Sequence, residues 1–336
     1  MSLKKIATEL GLSLTTVSRA LNGYPEVAQA TRAAVLAAAA RLHYQPDPGA
    51  RGLALGRGDA VGLVFPITPG DLGDVLFLTV AAALSERLEE AAMDLLIVST
   101  AGDELAAYQR AIRGRRIRAF VVPRTRVHDA RLALLQQQGV PFVAYGRSPG
   151  LATDYAWLDF DNERGARLAT RRLTGLGHRR IAYLGAPAEY NFAALRFDGF
   201  CAELAAAGLA PSPPLLLRQA LDRRSGYAAM QQLLALPQPP TAVLVDNHLA
   251  GVGAVHAALH QGRSLGRDLS LIVYDGLGTD SVIRTAITAV QQPGPAQIGR
   301  VLAELTLARL EGAPPATLQR LHQPVLVPGD SDGPAA

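Results

Sequence analysis

A chain of 336 residues exceeds one small core and suffices for two or three domains, and with 49% hydrophobic residues it can fill them. The single Cys201 excludes an internal disulfide framework and a cysteine metal cluster. The net charge of +4 is uneven: residues 1–60 set Lys4, Lys5, Arg19, Arg32, Arg41, Arg51 and Arg57 against Glu9, Glu26, Asp47 and Asp59, which is +3 of it. A small basic head on a near-neutral body points to an anionic partner, usually nucleic acid.

The start, MSLKKIATEL, lacks the apolar segment and cleavage site of a secretory signal. The longest apolar run, AAVLAAAA at 33–40, is far short of the ~20 residues that span a bilayer. A soluble cytoplasmic protein with no membrane partner is expected.

In chain order, Leu3, Ile6, Ala7 and Leu10 share one helical face, and Gly11 ends that helix. Ser13 caps a second helix running to Asn22, with Leu14, Val17, Ala20 and Leu21 inward. Helix, glycine turn and helix make the helix-turn-helix pattern. The outer face of LSLTTVSRALN carries short hydroxyls where an ordinary surface helix carries Glu and Lys. A third helix starts near Gln29 to Thr31 and runs to about His43. In YQPDPGARGLALGRG, Asp47 is a good N-cap and Pro48 suits the first helical position, so a hinge helix is expected at about 47–55. Gly49 and Gly52 each weaken it by roughly 1 kcal/mol relative to Ala. So short a helix should not persist alone in water, so the stretch is either a linker or a segment that folds only when bound.

From Ala60 the pattern turns to strands alternating with helices. The buried-strand candidates are VGLVF (61–65), DLLIVS (94–99), RAFVVP (118–123), PFVAY (141–145), RIAYL (180–184), TAVLV (241–245) and LSLIVY (269–274). This is an α/β pattern with parallel sheets, and GLGHRRIAYLG opens a second series, so two α/β lobes with a cleft between them are expected. Ligands bind at the carboxyl ends of parallel strands.

Catalytic patterns fail on chemistry. GRSPG at 146–150 has the G-x-S-x-G spacing, but Pro149 lacks the N–H an oxyanion hole needs and opposes the helix that must follow. His256 and His260, with His248 two turns earlier, form no HExxH and read as surface histidines. Asp159 and Asp161 in LDFDNE alternate along an extended stretch, and Asp161 is placed to cap a helix. With no P-loop, no GxGxxG and no assembled nucleophile and base, neither an enzyme, a cofactor nor a metal is expected.

The run from LKKIATELGLSLTTVSRALNG to ARGLALG resembles the lactose-repressor/purine-repressor (LacI/GalR) family of bacterial transcription regulators. The shared pieces are IA..LG.S..TVSR.LN, V...TR..V, L.Y.P and the AR.L of the hinge. The body adds VGLV, GHRRIAYLG, R.DGF at 196–200 and Tyr274-Asp275, so the resemblance covers essentially the whole chain. It implies a helix-turn-helix head with its hinge over 1–57, and a two-lobed body like a sugar-binding periplasmic protein over 60–330. The first lobe would take about 60–158 and 290–320, and the second about 160–288 and 321–330.

The resemblance also implies roles. Leu14, Thr15, Thr16, Ser18 and Arg19 would lie near bases or phosphates in the major groove. Leu53, flanked by Ala50 and Arg51, would wedge into the minor groove where two subunits' hinge helices pair. The effector pocket would be formed by Leu76, Phe77, Tyr190, Phe192, Arg196, Leu221, Asn247 and Asp275, with Arg196 and Asp275 gripping hydroxyls. Gly146 and His248 depart from the acid and the aspartate many sugar-responsive members carry there. FVAYGR followed by YAWLDFDNE resembles the α-glucoside type. The expectation is a repressor, dimeric or a dimer of dimers, on palindromic operator DNA, controlled by a sugar or, as the alternative, a purine.

Overall fold

The computed structural model describes residues 3–44, 58–65, 74–100, 102–151, 154–278 and 283–335. The hinge stretch 47–55, with Ala50, Arg51 and Leu53, lies outside the described residues.

The head is three helices, α1 (Leu3–Leu10), α2 (Leu14–Leu21) and α3 (Gln29–Arg41). Gly11, at φ +62°, ends α1 in the left-handed conformation that costs glycine nothing. Ser13 starts α2: its Oγ accepts the Thr16 N–H at 3.0 Å. Ile6, Val17, Ala20, Val35, Ala38 and Ala39 close a core of their own. The small buried side chains Val17 and Ala20 on α2 and Val35, Ala38 and Ala39 on α3 let the two helices pack closely.

The body holds two six-stranded sheets. The first uses β1 (Ala60–Phe65), β2 (Asp94–Ser99), β3 (Ile117–Val122), β4 (Phe142–Tyr145), β5 (Ala156–Phe160) and β11 (Gln319–His322), in the order β11-β5-β4-β3-β1-β2. The second uses β6 (Ile181–Leu184), β7 (Leu216–Leu217), β8 (Ala242–Val245), β9 (Ser270–Tyr274), β10 (Thr288–Gln291) and β12 (Val325–Val327), in the order β12-β10-β9-β8-β6-β7. Every pairing is parallel except β10 with β12.

Helices cover both faces of each sheet. They are α4 (Val75–Glu89), α5 (Glu104–Arg113), α6 (Ala130–Gln137) and α11 (Pro295–Leu310) in the first lobe, and α7 (Asn162–Gly175), α8 (Asn191–Ala206), α9 (Arg223–Leu234) and α10 (His248–His260) in the second. Covered on both faces, β1, β6, β8 and β9 are buried along their whole length, which is why they read as continuous apolar runs. Among the described residues, six of the eight body helices begin at an Asp or Asn whose side chain accepts a first-turn N–H: Asp74, Asp103, Asp129, Asp161, Asp222 and Asn247.

The chain passes between lobes at 160–162, 291–295 and 322–325. β10 stays paired with β9 as far as Val290, and β11 with β5 as far as His322. No helix among the described residues is long and apolar enough to cross a membrane.

Candidate functional site

On the head, α2 turns Leu14, Thr15 and Arg19 to solvent; Leu14, expected inward from the helical pattern, is 48% exposed and outside the head core, because it sits in the first turn. Thr16 and Ser18 are half-buried: the Thr16 hydroxyl lies 2.8 Å from Ser13 Oγ, and the Asn22 amide donates to Ser18 Oγ at 3.4 Å. The Arg19 side chain makes no hydrogen bond or ion pair among the described residues. A short-chained face with one unengaged arginine lets a helix backbone approach a groove closely, with Arg available for a bidentate base contact.

Between the lobes of the body lies a cleft of about 360 Å³, within the range of small-molecule sites. Seven of the eight residues expected at an effector pocket line it: Leu76, Phe77, Phe192, Arg196, Leu221, Asn247 and Asp275. Tyr190 does not. It precedes α8 and pairs by an isolated antiparallel bridge with Arg126 of the first lobe, its ring stacked on Phe192 at 5.8 Å. Its neighbour bonds across the lobes: the Asn191 N–H donates to the Thr125 carbonyl at 2.9 Å.

Arg196, buried on α8, is fixed on three sides. Its Nε donates to Asn162 Oδ1 at 2.8 Å, its Nη1 donates to the Asp246 carbonyl, and its guanidinium lies 3.6 Å from the Tyr274 ring centroid and 5.0 Å from that of Phe192. Its Nη2 has no partner among the described residues. Asn162 in turn donates to Asp159 Oδ1 at 3.2 Å, and Asp159 accepts from Arg147 at 2.7 Å. A polar chain thus runs through the first crossing from one lobe to the other.

Asp275 follows β9 at φ +61°, a conformation a non-glycine residue adopts at a cost and one that gathers at functional sites. Its carboxylate has no hydrogen bond or ion pair among the described residues, and it does not pair with Arg196. Burial pushes its carboxyl above the usual range, against the pull of the Arg196 and His248 charges. Asp246, beneath the cleft, is also raised by burial, with Arg196 opposing. It is fully engaged, accepting the Ala186 N–H at 3.0 Å and the Tyr183 hydroxyl at 3.0 Å.

Residues that sequence reasoning did not place here also line the cleft. Arg124 is one of them; it lies 4.6 Å from the ring centroid of Phe65, which is outside the lining and stacks on Phe77 at 4.2 Å. Asp74 Oδ1 caps α4 through Phe77 N–H at 3.0 Å and meets His248 Nε2 across the cleft at 2.9 Å. Burial pushes the Asp74 carboxyl up, but the His248 bond and charge, the Phe77 N–H and Arg124 together hold it below the usual range. The only signal for Asp74 was its capping position, and for His248 its departure from the family pattern. Gly146, at φ +113°, has no room for a Cβ, which would strike Thr125 Oγ1.

The other candidates fall elsewhere. His256 and His260 are exposed, and His260 Nδ1 meets the Tyr227 hydroxyl at 3.0 Å. Ser148 of GRSPG is buried, its hydroxyl donating to the Val127 carbonyl at 3.1 Å, so it ties down a loop. Asp161 caps α7, accepting the Arg164 N–H at 3.1 Å.

A helix-turn-helix head on a two-lobed α/β body with a polar, aromatic-walled cleft defines a class of DNA-binding regulator that carries a small-molecule cleft. Comparison with known proteins agrees. Residues 59–320 match the family described as periplasmic binding proteins and sugar binding domain of the LacI family, and residues 2–47 match the bacterial regulatory proteins of the lacI family. The HTH-type transcriptional regulator RafR of Escherichia coli is 40% identical over 98% of both chains. The regulator AglR of Rhizobium meliloti is 39% identical over 82% of this chain and 78% of its own. Among solved structures, the lac repressor dimer bound to operator and the anti-inducer ONPF superposes with a TM-score of 0.80 at 25% identity, over 98% of both chains. A CelR–cellobiose complex gives 0.74 at 27%, over 98% of this chain and 99% of that one. The chain belongs to the LacI family, and it is a DNA-binding transcriptional regulator, not an enzyme.

Proposed function

We propose that this regulator is a repressor whose operator binding is set by a neutral sugar held in the cleft. The observation that carries this reading is the pair Arg196 and Asp275. Both face the cleft, one with an unpartnered Nη2 and one with an unpartnered carboxylate, and they do not neutralise each other. Such a pair can donate to and accept from adjacent hydroxyls. Phe192 and Phe77 offer apolar walls for a sugar face. Asp74, Asp159 and Asp275 stand beside Arg124 and Arg196, so the lining is not the net-cationic one a sugar phosphate requires. The match to a family described as holding a sugar binding domain and the cellobiose complex of CelR favour a sugar over a purine, and FVAYGR with YAWLDFDNE favours the α-glucoside type.

In this reading residues 1–57 form the head and hinge, with Leu14, Thr15, Thr16, Ser18 and Arg19 in the major groove and Ala50, Arg51 and Leu53 in the minor groove. Residues 60–330 form the body. Two copies in the cytoplasm bind a palindromic operator, as a dimer or a dimer of dimers. The sugar prefers one lobe arrangement, and that arrangement decides whether the two hinge segments pair on DNA. A thermal-shift screen tests the effector, because a ligand that binds only the folded state raises its melting temperature. A neutral mono- or disaccharide is expected to stabilise the protein, and sugar phosphates and nucleobases to leave it unchanged. Stabilisation by a nucleobase or a phosphate alone refutes the sugar.

A further inference from the structure

The stretch Arg110-Ala-Ile-Arg-Gly-Arg-Arg-Ile-Arg118 runs from the last turn of α5 into β3 and brings five arginines, Arg110, Arg113, Arg115, Arg116 and Arg118, to one end of the first lobe. Arg110, Arg113, Arg115 and Arg116 are exposed. None of the five makes a hydrogen bond or ion pair through its side chain among the described residues. Asp59 and Asp94, which precede β1 and open β2, and Glu89 and Glu90 at the end of α4 form no ion pair with any of the five among the described residues. Five unpaired like charges repel one another, which a chain tolerates at low cost only where water or a polyanion screens them.

Two further observations locate and sharpen the cluster. It lies where the body meets the segment leading to the head: the Ala60 N–H donates to the Arg116 carbonyl at 3.3 Å, and Gly58 passes so close that a Cβ there would strike that same carbonyl. Arg115 also holds φ +52°. Glycine or asparagine takes that conformation more cheaply, so a long cation is kept there at a backbone cost.

We infer that the Arg110–Arg118 stretch is a second DNA-binding element, a phosphate clamp on the duplex beside the site held by the head. This rests on the DNA-binding function of the head. Residues 45–57 span at most about 50 Å at full extension, so a head on DNA keeps this end of the body within reach of the same duplex. Guanidinium groups on exposed, unpaired arms suit phosphate oxygens and carry no base preference. The contact is therefore sequence-independent, and it adds to affinity and salt dependence without adding to specificity.

The test is fluorescence anisotropy of the full chain on a labelled 60-bp random-sequence duplex between 50 and 200 mM salt. Each phosphate neutralised contributes about 0.9 to the slope of log K against log salt. Combining Arg113→Gln, Arg115→Gln and Arg116→Gln should flatten that slope by about 2.7, so the ratio of wild-type to variant affinity changes roughly 40-fold over this range. Combining Arg179→Gln, Arg224→Gln and Arg267→Gln, which removes three exposed second-lobe arginines, should leave the slope unchanged. Arg115→Gly should raise the melting temperature, by relieving the backbone, while still weakening DNA binding. An unchanged slope in the first triple variant overturns the clamp and leaves the cluster to an acidic protein. An equal change in both triple variants reduces it to net charge. A wild-type chain that binds no duplex at all refutes the DNA-binding reading beneath it, a result distinct from the other two.

Discussion

Replacing Arg196 with lysine keeps the charge and removes the fork. The guanidinium holds Asn162 Oδ1 through Nε and the Asp246 carbonyl through Nη1 while stacking 3.6 Å from the Tyr274 centroid. One ammonium cannot reach both acceptors and lie flat on a ring. A hydrogen bond to a charged group is worth about 1.5–3 kcal/mol. A desolvated cation–π contact is worth about 2 kcal/mol. Losing one bond and part of the stack, with Asn162 Oδ1 left unsatisfied, should cost the second lobe about 3–4 kcal/mol. The lost Nη2 donor should in addition weaken sugar binding by about 1.5–3 kcal/mol, roughly 10- to 100-fold. Urea unfolding measures the first loss, and calorimetric titration with the sugar found by thermal shift measures the second. Binding of the ligand-free variant to duplex DNA at 25 °C should persist, since Arg196 is far in sequence and fold from the head. Wild-type stability together with wild-type sugar affinity in Arg196→Lys would refute the fork as the organiser of the cleft.

Asp275→Asn tests the acceptor: its carboxyl titrates above the usual range, so a sugar hydroxyl donating to the ionised form should bind more weakly as pH falls through that raised value. Titrations across acidic pH should show this loss in the wild type, and a flat profile in the variant. Asp74 has the opposite sign. Its carboxyl is held below the usual range, so its stabilising contribution is present above about pH 4 and is lost as pH falls through the lower folded value. Melting temperatures of wild type and Asp74→Asn should therefore converge as pH falls below about 4, and a constant difference would remove the link to ionised Asp74. On the head, Arg19→Ala should cost about 1–3 kcal/mol at an operator with discrimination lost at one position, whereas uniform weakening on all sequences makes Arg19 a phosphate contact.

Strands covered on both faces announced themselves: AVGLVF, IAYL, AVLV and SLIVY are wholly buried, and their apolar runs sufficed to place the sheets. The strands that hydropathy passed over are those at sheet edges or crossings. β11, QRLH, has two exposed positions in four, and β7 is two half-buried residues. Their place is fixed by pairing partners far away in sequence, as when Gln319 meets Trp157 and Val325 meets Gln291. The head was legible to the residue at Ser13 and Gly11, since a cap and a left-handed turn are local chemistry. Tyr190 shows the reverse: its aromatic character suggested a ligand wall, whereas its backbone bridge to Arg126 of the other lobe is a tertiary fact that no local pattern announces.

The cleft was half-legible for a related reason. In a parallel sheet, ligands meet the carboxyl ends of strands, and helix N-termini sit at the same end. The acids and amides that cap those helices are thus the ones placed to face a ligand, so in sequence a cap and a site residue look alike. Asp74 does both with one oxygen, accepting Phe77 N–H and meeting His248 from the other lobe. Asn247 caps α10 through Ala250 N–H at 2.9 Å and lines the cleft. Asn162 begins α7 in the second lobe yet donates to Asp159 of the first and accepts from Arg196. A rotation of the lobes about the first crossing must stretch Asp159–Asn162 or drag Arg196 with it. The residue proposed to grip the sugar is therefore mechanically tied to the joint whose angle the sugar is proposed to select.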